Sequence, residues 1–258
     1  EALARKQEES IEEQKGAEAK EESIWKGRQF RNGVRPRVTV IGATGRVGAW
    51  TVRELMRFSK GDLDLVVAGR NEDAANKLLR QLAGGLFFWG GREWATMRTE
   101  HLGTAEFQAV DLGDFPSLVA AIQRSDLVIH TAGPFQGATP EVLRAAIACG
   151  TPYMDVCDDV DYSQRARAMS EAATAEGVTA ITTCGIYPGL SNVMAAATVR
   201  NFEKELEFQA NPGENKAESL EFSYFTAGTG GVGATILAST FLLLAEKCQV
   251  FESGTKVE

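Results

Sequence analysis

The chain has 258 residues, 44% hydrophobic and 24% charged, with a formal net charge of −8. This length suits more than one domain, and the composition is that of a globular protein. The acidic balance excludes broad nucleic-acid binding, which needs a basic face, and no run approaches the ~18 apolar residues that span a bilayer.

The four cysteines (149, 157, 184 and 248) show neither C-x-x-C nor zinc spacing, so they read as buried free thiols in a reducing compartment. His101 and His130 are too few for a His-rich metal site, and no metal is expected.

Residues 1–36 differ in character from the rest. The opening "EALARKQEESIEEQKGAEAKEES" has almost no large apolar side chains, so it can form a solvated helix but cannot bury a core. In "IWKGRQFRNGVRPR" five basic residues surround Trp25 and Phe30 with no acid among them. This stretch is an extended linker or a docking arm anchored by the two aromatics. Because the chain starts at Glu1, residues upstream are expected.

From Arg37 the pattern alternates between strands and helices. The β-branched "RVTVI" (37–41) precedes a helix at 45–59 that sets Val47, Val52, Leu55 and Met56 near one face. A strand at 62–70 is followed by a helix at 71–83. Further pairs are expected at 105–114 with 116–124, 125–133 with 139–150, and 152–159 with 162–177, then a strand at 178–185 and a helix from Leu190. Such alternation predicts an α/β fold with a doubly wound parallel sheet of the Rossmann type over 37–200, helices covering both faces. Residues 201–258 read as the beginning of a second α/β domain, with strands at 219–225 and 249–253 around a helix at 235–247. That is too little to close a domain, so the sheet is expected to continue past Glu258 or a partner to cover the surface.

Two glycine loops compete for a phosphate. "FTAGTGGVGA" contains a literal G-x-G-x-x-G at Gly228, Gly230 and Gly233, while "VIGATGRVG" spaces Gly42, Gly45 and Gly48 as G-x-x-G-x-x-G. A dinucleotide loop needs a strand before it, a helix after it and a second strand ending at the adenosine ribose. The Gly42 loop has all three, and the Gly228 loop lacks the last. Gly42 permits the turn, Gly45 lets backbone approach the pyrophosphate at the helix N-terminus, and Gly48 lets the helix pack close. Thr44, Arg46 and Val47 complete that loop.

The second strand ends "VVAGRN", with Arg70 and Asn71 where an NAD site usually carries an acid. A guanidinium suits a 2′-phosphate, and Arg46 could add a second cation, so NADP(H) is the expected cofactor. Asp111 and Leu112 end the third strand of the sheet, near the adenine. Ala132, Gly133, Pro134 and Phe135 end the fourth, near the ribose and nicotinamide.

Taken in order, "VIGATGRVG", "VVAGRN", "HTAGPFQG", "YMDVCDD", "GIYPGLSNVMAA" and "SYFTAGTGGVGATILAS" resemble the saccharopine dehydrogenase-like proteins, in a branch found in plants, algae and cyanobacteria. The resemblance runs from about Arg37 to the C-terminus. It implies an NADP(H)-binding Rossmann domain followed by an α/β domain that supplies much of the substrate site, with the Gly228 loop lining the cleft. It also implies a chloroplast stroma location, with the cytoplasm as the alternative, and hydride transfer to or from an amino-acid-derived or imine substrate.

Two departures stand out. The polar N-terminal arm is one. The other is "GGLFFWGGREWATMRTEHLGT" (84–104), with Phe87, Phe88, Trp89 and Trp94 among glycines, in place of a short connection. It is an ordered surface loop or a protein-docking loop. Acid/base candidates in the cleft loops are Asp155, Asp158, Asp159 and Tyr187, of which Tyr187 and Asp158 lead, and none forms a catalytic signature. Two functions stay open: an NADP(H)-dependent oxidoreductase, or a nucleotide-binding but non-catalytic subunit or assembly factor of a larger complex.

Overall fold

The computed structural model describes residues 35–59, 62–83, 86–89, 92–96, 104–209, 217, 219–224, 241, 250–252 and 255–257. The expectations for the N-terminal arm, the Gly228 loop and most of the helix at 235–247 lie outside the described residues.

The elements are β1 (Arg37–Ile41), α1 (Arg46–Phe58), β2 (Asp64–Gly69), α2 (Glu72–Ala83), β3 (Leu86–Trp89), β4 (Arg92–Thr96), β5 (Ala105–Ala109), α3 (Phe115–Ile122), β6 (Leu127–His130), α4 (Glu141–Ala148), β7 (Tyr153–Asp155), α5 (Val160–Arg167), α6 (Ser170–Ala175), β8 (Ala180–Ile181), α7 (Leu190–Gln209), β9 (Val250–Glu252) and β10 (Thr255–Val257). Six strands form one sheet in the order β5-β2-β1-β6-β7-β8. Every pairing in it is parallel. The chain starts at the centre, winds outward to β5, then crosses back to β6, so the order reverses between β1 and β6. That reversal opens a crevice at the C-terminal strand ends, where ligands of doubly wound sheets bind.

Alternation along the central strands makes two cores. Val38 and Val40 of β1, with Leu65 and Val67 of β2, face Val52 and Met56 of α1 and Leu78 and Leu82 of α2. Ile41, Val66, Ala68 and Val128 point the other way, toward Leu118 and Ile122 of α3, Leu143 of α4 and Tyr162 of α5. Full burial of each such aliphatic side chain contributes ~1.5–3 kcal/mol. The one polar side chain inside β1, Thr39, is fully buried and meets Ser125 Oγ at 2.6 Å and the Ala121 carbonyl at 3.2 Å.

Three expectations are corrected here. Residues 84–104 are not a plain loop, because β3 and β4 pair antiparallel with a register shift between Phe87 and Phe88. The helix expected over 162–177 is two, since the Met169 amide bonds the Ala166 carbonyl three residues back at 3.1 Å and tightens the chain between α5 and α6. Residues 219–224 are not a strand. Their apolar/polar alternation has no hydrogen-bonded neighbour among the described residues, and Leu220, Phe222 and Tyr224 are exposed. The helix expected from Leu190 is present as α7 and runs to Gln209. The strand at 249–253 is present as β9, paired with β10. Among the described residues, no helix is long and apolar enough to cross a membrane.

Candidate functional site

The loop after β1 is held tightly against β2 and β6. The Gly42 amide donates to the Ala68 carbonyl at 2.9 Å, and Gly42 adopts φ +82°. A β-carbon there would meet Ala132 N at 2.6 Å, so glycine is required on two counts. A β-carbon on Gly48 would lie 2.2 Å from the Gly42 carbonyl oxygen and 2.6 Å from Thr131 Oγ1. The start of α1 is thereby pressed onto the strand ends. Gly45, in extended conformation, is the N-cap of α1 and supplies no side-chain cap. The first helical bond runs from the Ala49 amide to the Gly45 carbonyl at 2.8 Å. The amides of Arg46, Val47 and Gly48 precede it, and amides in that position suit an anion. Gly45, Arg46 and Val47 are exposed, so the loop is open on the crevice side.

At the end of β2, Arg70 is exposed and forms no ion pair or hydrogen bond among the described residues. Asn71 is partly committed: its Oδ1 caps α2 by accepting the Ala74 amide at 2.9 Å. The loop after β5 is self-contained. Asp111 Oδ1 accepts the Gly113 amide at 2.9 Å, and the Ser117 hydroxyl bridges the Asp111 and Asp114 carbonyls. Asp111 and Leu112 are exposed at its tip.

After β6 the chain passes Thr131, whose amide and hydroxyl both donate to the Ile41 carbonyl, at 2.8 and 2.9 Å. Gly133 and Pro134 are exposed and Ala132 is half-buried. Phe135 is corrected: its ring is buried in the core, edge-on to His130 at 4.9 Å and to Tyr162 at 5.0 Å. An apolar ring directly after an exposed Gly-Pro gains more from that core than from solvent, so only its backbone is left for a ligand.

Beneath these loops lies a buried polar network that sequence reasoning missed as a unit. Tyr153 and Asp155 share one face of β7, and the Tyr153 hydroxyl donates to Asp155 Oδ2 at 2.9 Å. Asp155 Oδ1 accepts the amides of Cys157 at 3.0 Å and Thr183 at 2.8 Å. His130 Nδ1 sits 3.1 Å from the Tyr153 oxygen and 3.5 Å from that of Tyr162. Tyr153 has one proton and gives it to Asp155, so Nδ1 carries the proton that completes the His130 contact. His130 Nε2 is left buried without a hydrogen bond. Burial lowers the His130 pKa to about 4, which keeps the imidazole neutral. Burial likewise raises the Tyr153 phenol far above its ordinary range. It also lifts the Cys157 thiol to about 11, so that sulfur is a poor nucleophile at neutral pH.

The remaining candidates divide. Asp155 is fully buried and acts as an acceptor for three donors, so it offers no carboxylate to the crevice. Asp159 caps α5 by accepting the Tyr162 amide at 2.7 Å. Asp158 and Tyr187 are exposed in the loops that follow β7 and β8. The alternating "YMD" was the signal available for the Tyr153–Asp155 pair. Thr183, at φ +60° in a non-glycine residue, gave no signal.

Comparison with known proteins agrees with this geometry. The family described as "Saccharopine dehydrogenase NADP binding domain" matches residues 38–181. A lipid droplet localized protein of Caenorhabditis elegans is 25% identical over 150 residues, which are 57% of this chain and 32% of that protein. A probable mitochondrial saccharopine dehydrogenase-like oxidoreductase of Arabidopsis thaliana is 25% identical over 154 residues, 57% of this chain and 31% of that protein. The chain thus spans about a third of the length of these curated relatives. Among solved structures, the saccharopine dehydrogenase (L-Glu forming) of Saccharomyces cerevisiae shares the fold, with TM-score 0.50 at 20% identity, covering 66% of this chain and 32% of that one. The glycine cradle, the parallel sheet order and the match over most of the Rossmann unit lead to one assignment: the chain belongs to the saccharopine dehydrogenase NADP-binding domain family, and its cofactor is NADP(H).

Proposed function

We propose that this chain is the cofactor-binding part of an NADP(H)-dependent oxidoreductase that transfers hydride to or from an amino-acid-derived or imine substrate. The observation that carries the reading is the close seating of Gly42 and Gly48 against Ala132 and Thr131, which any side chain would prevent. Backbone packed this tightly beside an uncapped helix N-terminus fits a pyrophosphate. In this reading Gly42, Thr44, Gly45, Arg46, Val47 and Gly48 hold the pyrophosphate. Arg70 and Asn71 read the 2′-phosphate, Asp111 and Leu112 flank the adenine, and the backbone of Ala132, Gly133, Pro134 and Phe135 follows the ribose and nicotinamide. Bound NADP(H) supplies or accepts the hydride. Of the two exposed candidates, Asp158 follows β7, next to β6, and is the one that could move a proton beside it, while Tyr187 follows β8, one strand farther out.

Residues 201–258 begin the second α/β domain, and the exposed side chains of α7 favour that view. Val193, Met194 and Phe202 are 66%, 61% and 46% exposed, more apolar surface than a finished helix leaves in water. A chloroplast location is supported by the motif resemblance. The Arabidopsis relative is named as mitochondrial, so import of the tagged protein into isolated organelles distinguishes the two.

The test is NADPH oxidation by the full-length protein against a panel of amino, keto and imino acids. Substrate-dependent oxidation of NADPH supports the proposal. Tight NADPH binding with no turnover on any member favours the second reading, a nucleotide-binding subunit or assembly factor. The β3–β4 hairpin favours that second reading, because it adds Phe87, Phe88, Trp89 and Trp94 where the sheet needs only a connection. A protein partner would dock there or on the N-terminal arm.

A further inference from the structure

The loop after β8 is braced far beyond what a connection to α7 needs. Asp155 holds it from below: its Oδ1 accepts the Thr183 amide at 2.8 Å and its backbone carbonyl accepts the Cys184 amide at 2.7 Å. Thr183 is thereby kept at φ +60°, a conformation that a β-branched residue rarely adopts and that survives only when its surroundings fix it. The loop then closes on itself. The Gly185 amide donates to the Pro188 carbonyl at 3.1 Å and the Leu190 amide returns to Gly185 at 2.9 Å. Gly189, at φ +131°, packs so closely that a β-carbon would lie 2.3 Å from the Gly185 carbonyl oxygen. Asn192 completes the brace by accepting the Gly189 amide at 3.1 Å.

What this rigid loop presents is an exposed ring. Tyr187 is 52% exposed at its tip and lies 4.9 Å from the ring of Tyr224, which in turn stacks on Phe222 at 5.9 Å with only 8° between planes. Strain and bracing of this kind accumulate where a chain holds a side chain ready for a ligand. The loop leaves the sheet two strands from β6, at the same C-terminal edge as the proposed cofactor crevice, a separation of about 10 Å. That is the distance at which the far part of a molecule sits when its near part faces a group over the end of β6.

We propose that Tyr187, Tyr224 and Phe222 form a stacking shelf for a planar, π-conjugated portion of the substrate, with Asp155 as the positioning residue that sets its height. The proposal deepens the oxidoreductase reading and rests on it. Stacking between rings contributes enough for roughly a two- to tenfold gain in affinity per contact.

The experiment compares two probes of equal charge on the full-length protein, with and without NADP+: naphthalene-2-carboxylate, and its saturated counterpart decahydronaphthalene-2-carboxylate. Calorimetry should show the planar probe bound at least about fivefold more tightly. Tyr187→Ala should lose that preference and Tyr187→Phe should keep it, while both hold NADPH as wild type does. Asp155→Asn should weaken the preference without shifting NADPH affinity. Equal affinity for the two probes, or no binding of the planar one, overturns the shelf. So does a Tyr187→Ala protein that melts earlier yet keeps the preference, since the ring would then be packing against the rest of the protein. Wild type that discriminates the probes but fails to bind NADPH would instead sink the cofactor reading and leave the shelf standing.

Discussion

The Gly48 position faces the Gly42 carbonyl so closely that one added methyl group would stand 2.2 Å from that oxygen. This close approach couples the first helix to the first strand, and the same methyl group would stand 2.6 Å from Thr131 Oγ1, just past β6. The obstruction is backbone, so no side-chain rotation relieves it. Gly48→Ala should force α1 outward, destabilise the fold by about 1–3 kcal/mol and weaken NADPH binding at least tenfold. Gly113→Ala is the control, because its β-carbon would stand 3.5 Å from Asp111 Oδ1 at ordinary contact distance. Thermal melts and NADPH titrations of the two variants check this. Equal tolerance of both would mean that the glycine cradle is looser than its geometry.

Arg70 is the residue on which cofactor choice turns. It is exposed at the end of β2, and among the described residues no carboxylate competes for it. Arg70→Ala should cost NADPH roughly 1.5–3 kcal/mol, a tenfold or larger loss, and leave NADH nearly unchanged. Fluorescence titration with both nucleotides measures the ratio. An equal loss for NADH would assign Arg70 to stability, not to the 2′-phosphate.

The hairpin separates the two functional readings. Replacing Phe87, Phe88 and Trp89 by Ser should leave the protein folded and NADPH bound, yet abolish co-purification with a protein partner. Global unfolding of the variant, seen by circular dichroism, would place those residues in the core instead.

The parallel sheet and the close packing at Gly42 and Gly48 were readable because they depend on local pattern. Alternation in Arg37–Ile41 and Asp64–Gly69 marks buried parallel strands, and Gly42 and Gly48 mark backbone contact by type and spacing alone. Phe135 was misplaced because "TAGPF" gives its position in the loop but not the side to which its ring turns. The Asp155 network was hidden for a different reason. Its donors come from β6, β7, α5 and the loop after β8, which only the assembled sheet brings together. The run at 219–224 has the alternation of a strand, but alternation specifies a face and cannot supply the neighbour that makes the hydrogen bonds.

The neutral state of His130 sets a direction for the pH dependence of stability. Its pKa is lowered by burial from the ordinary 6.5 to about 4 in the folded protein. A histidine depressed in this way favours unfolding once the unfolded chain takes up a proton that the native one refuses. Its stabilising contribution is therefore whole above about pH 6.5 and is lost as pH falls toward 4. The full effect is about 3 kcal/mol, of which about 2 kcal/mol is gone by pH 5. The chain has only two histidines, so few other groups change charge in that window. Urea midpoints of wild type should fall between about pH 7 and pH 5. In His130→Gln, which keeps a polar group beside Tyr153 without a titrating one, the fall should be smaller by roughly that amount. Parallel pH profiles for the two proteins would mean that the imidazole takes up its proton inside the fold, and that Nε2 finds a partner when charged.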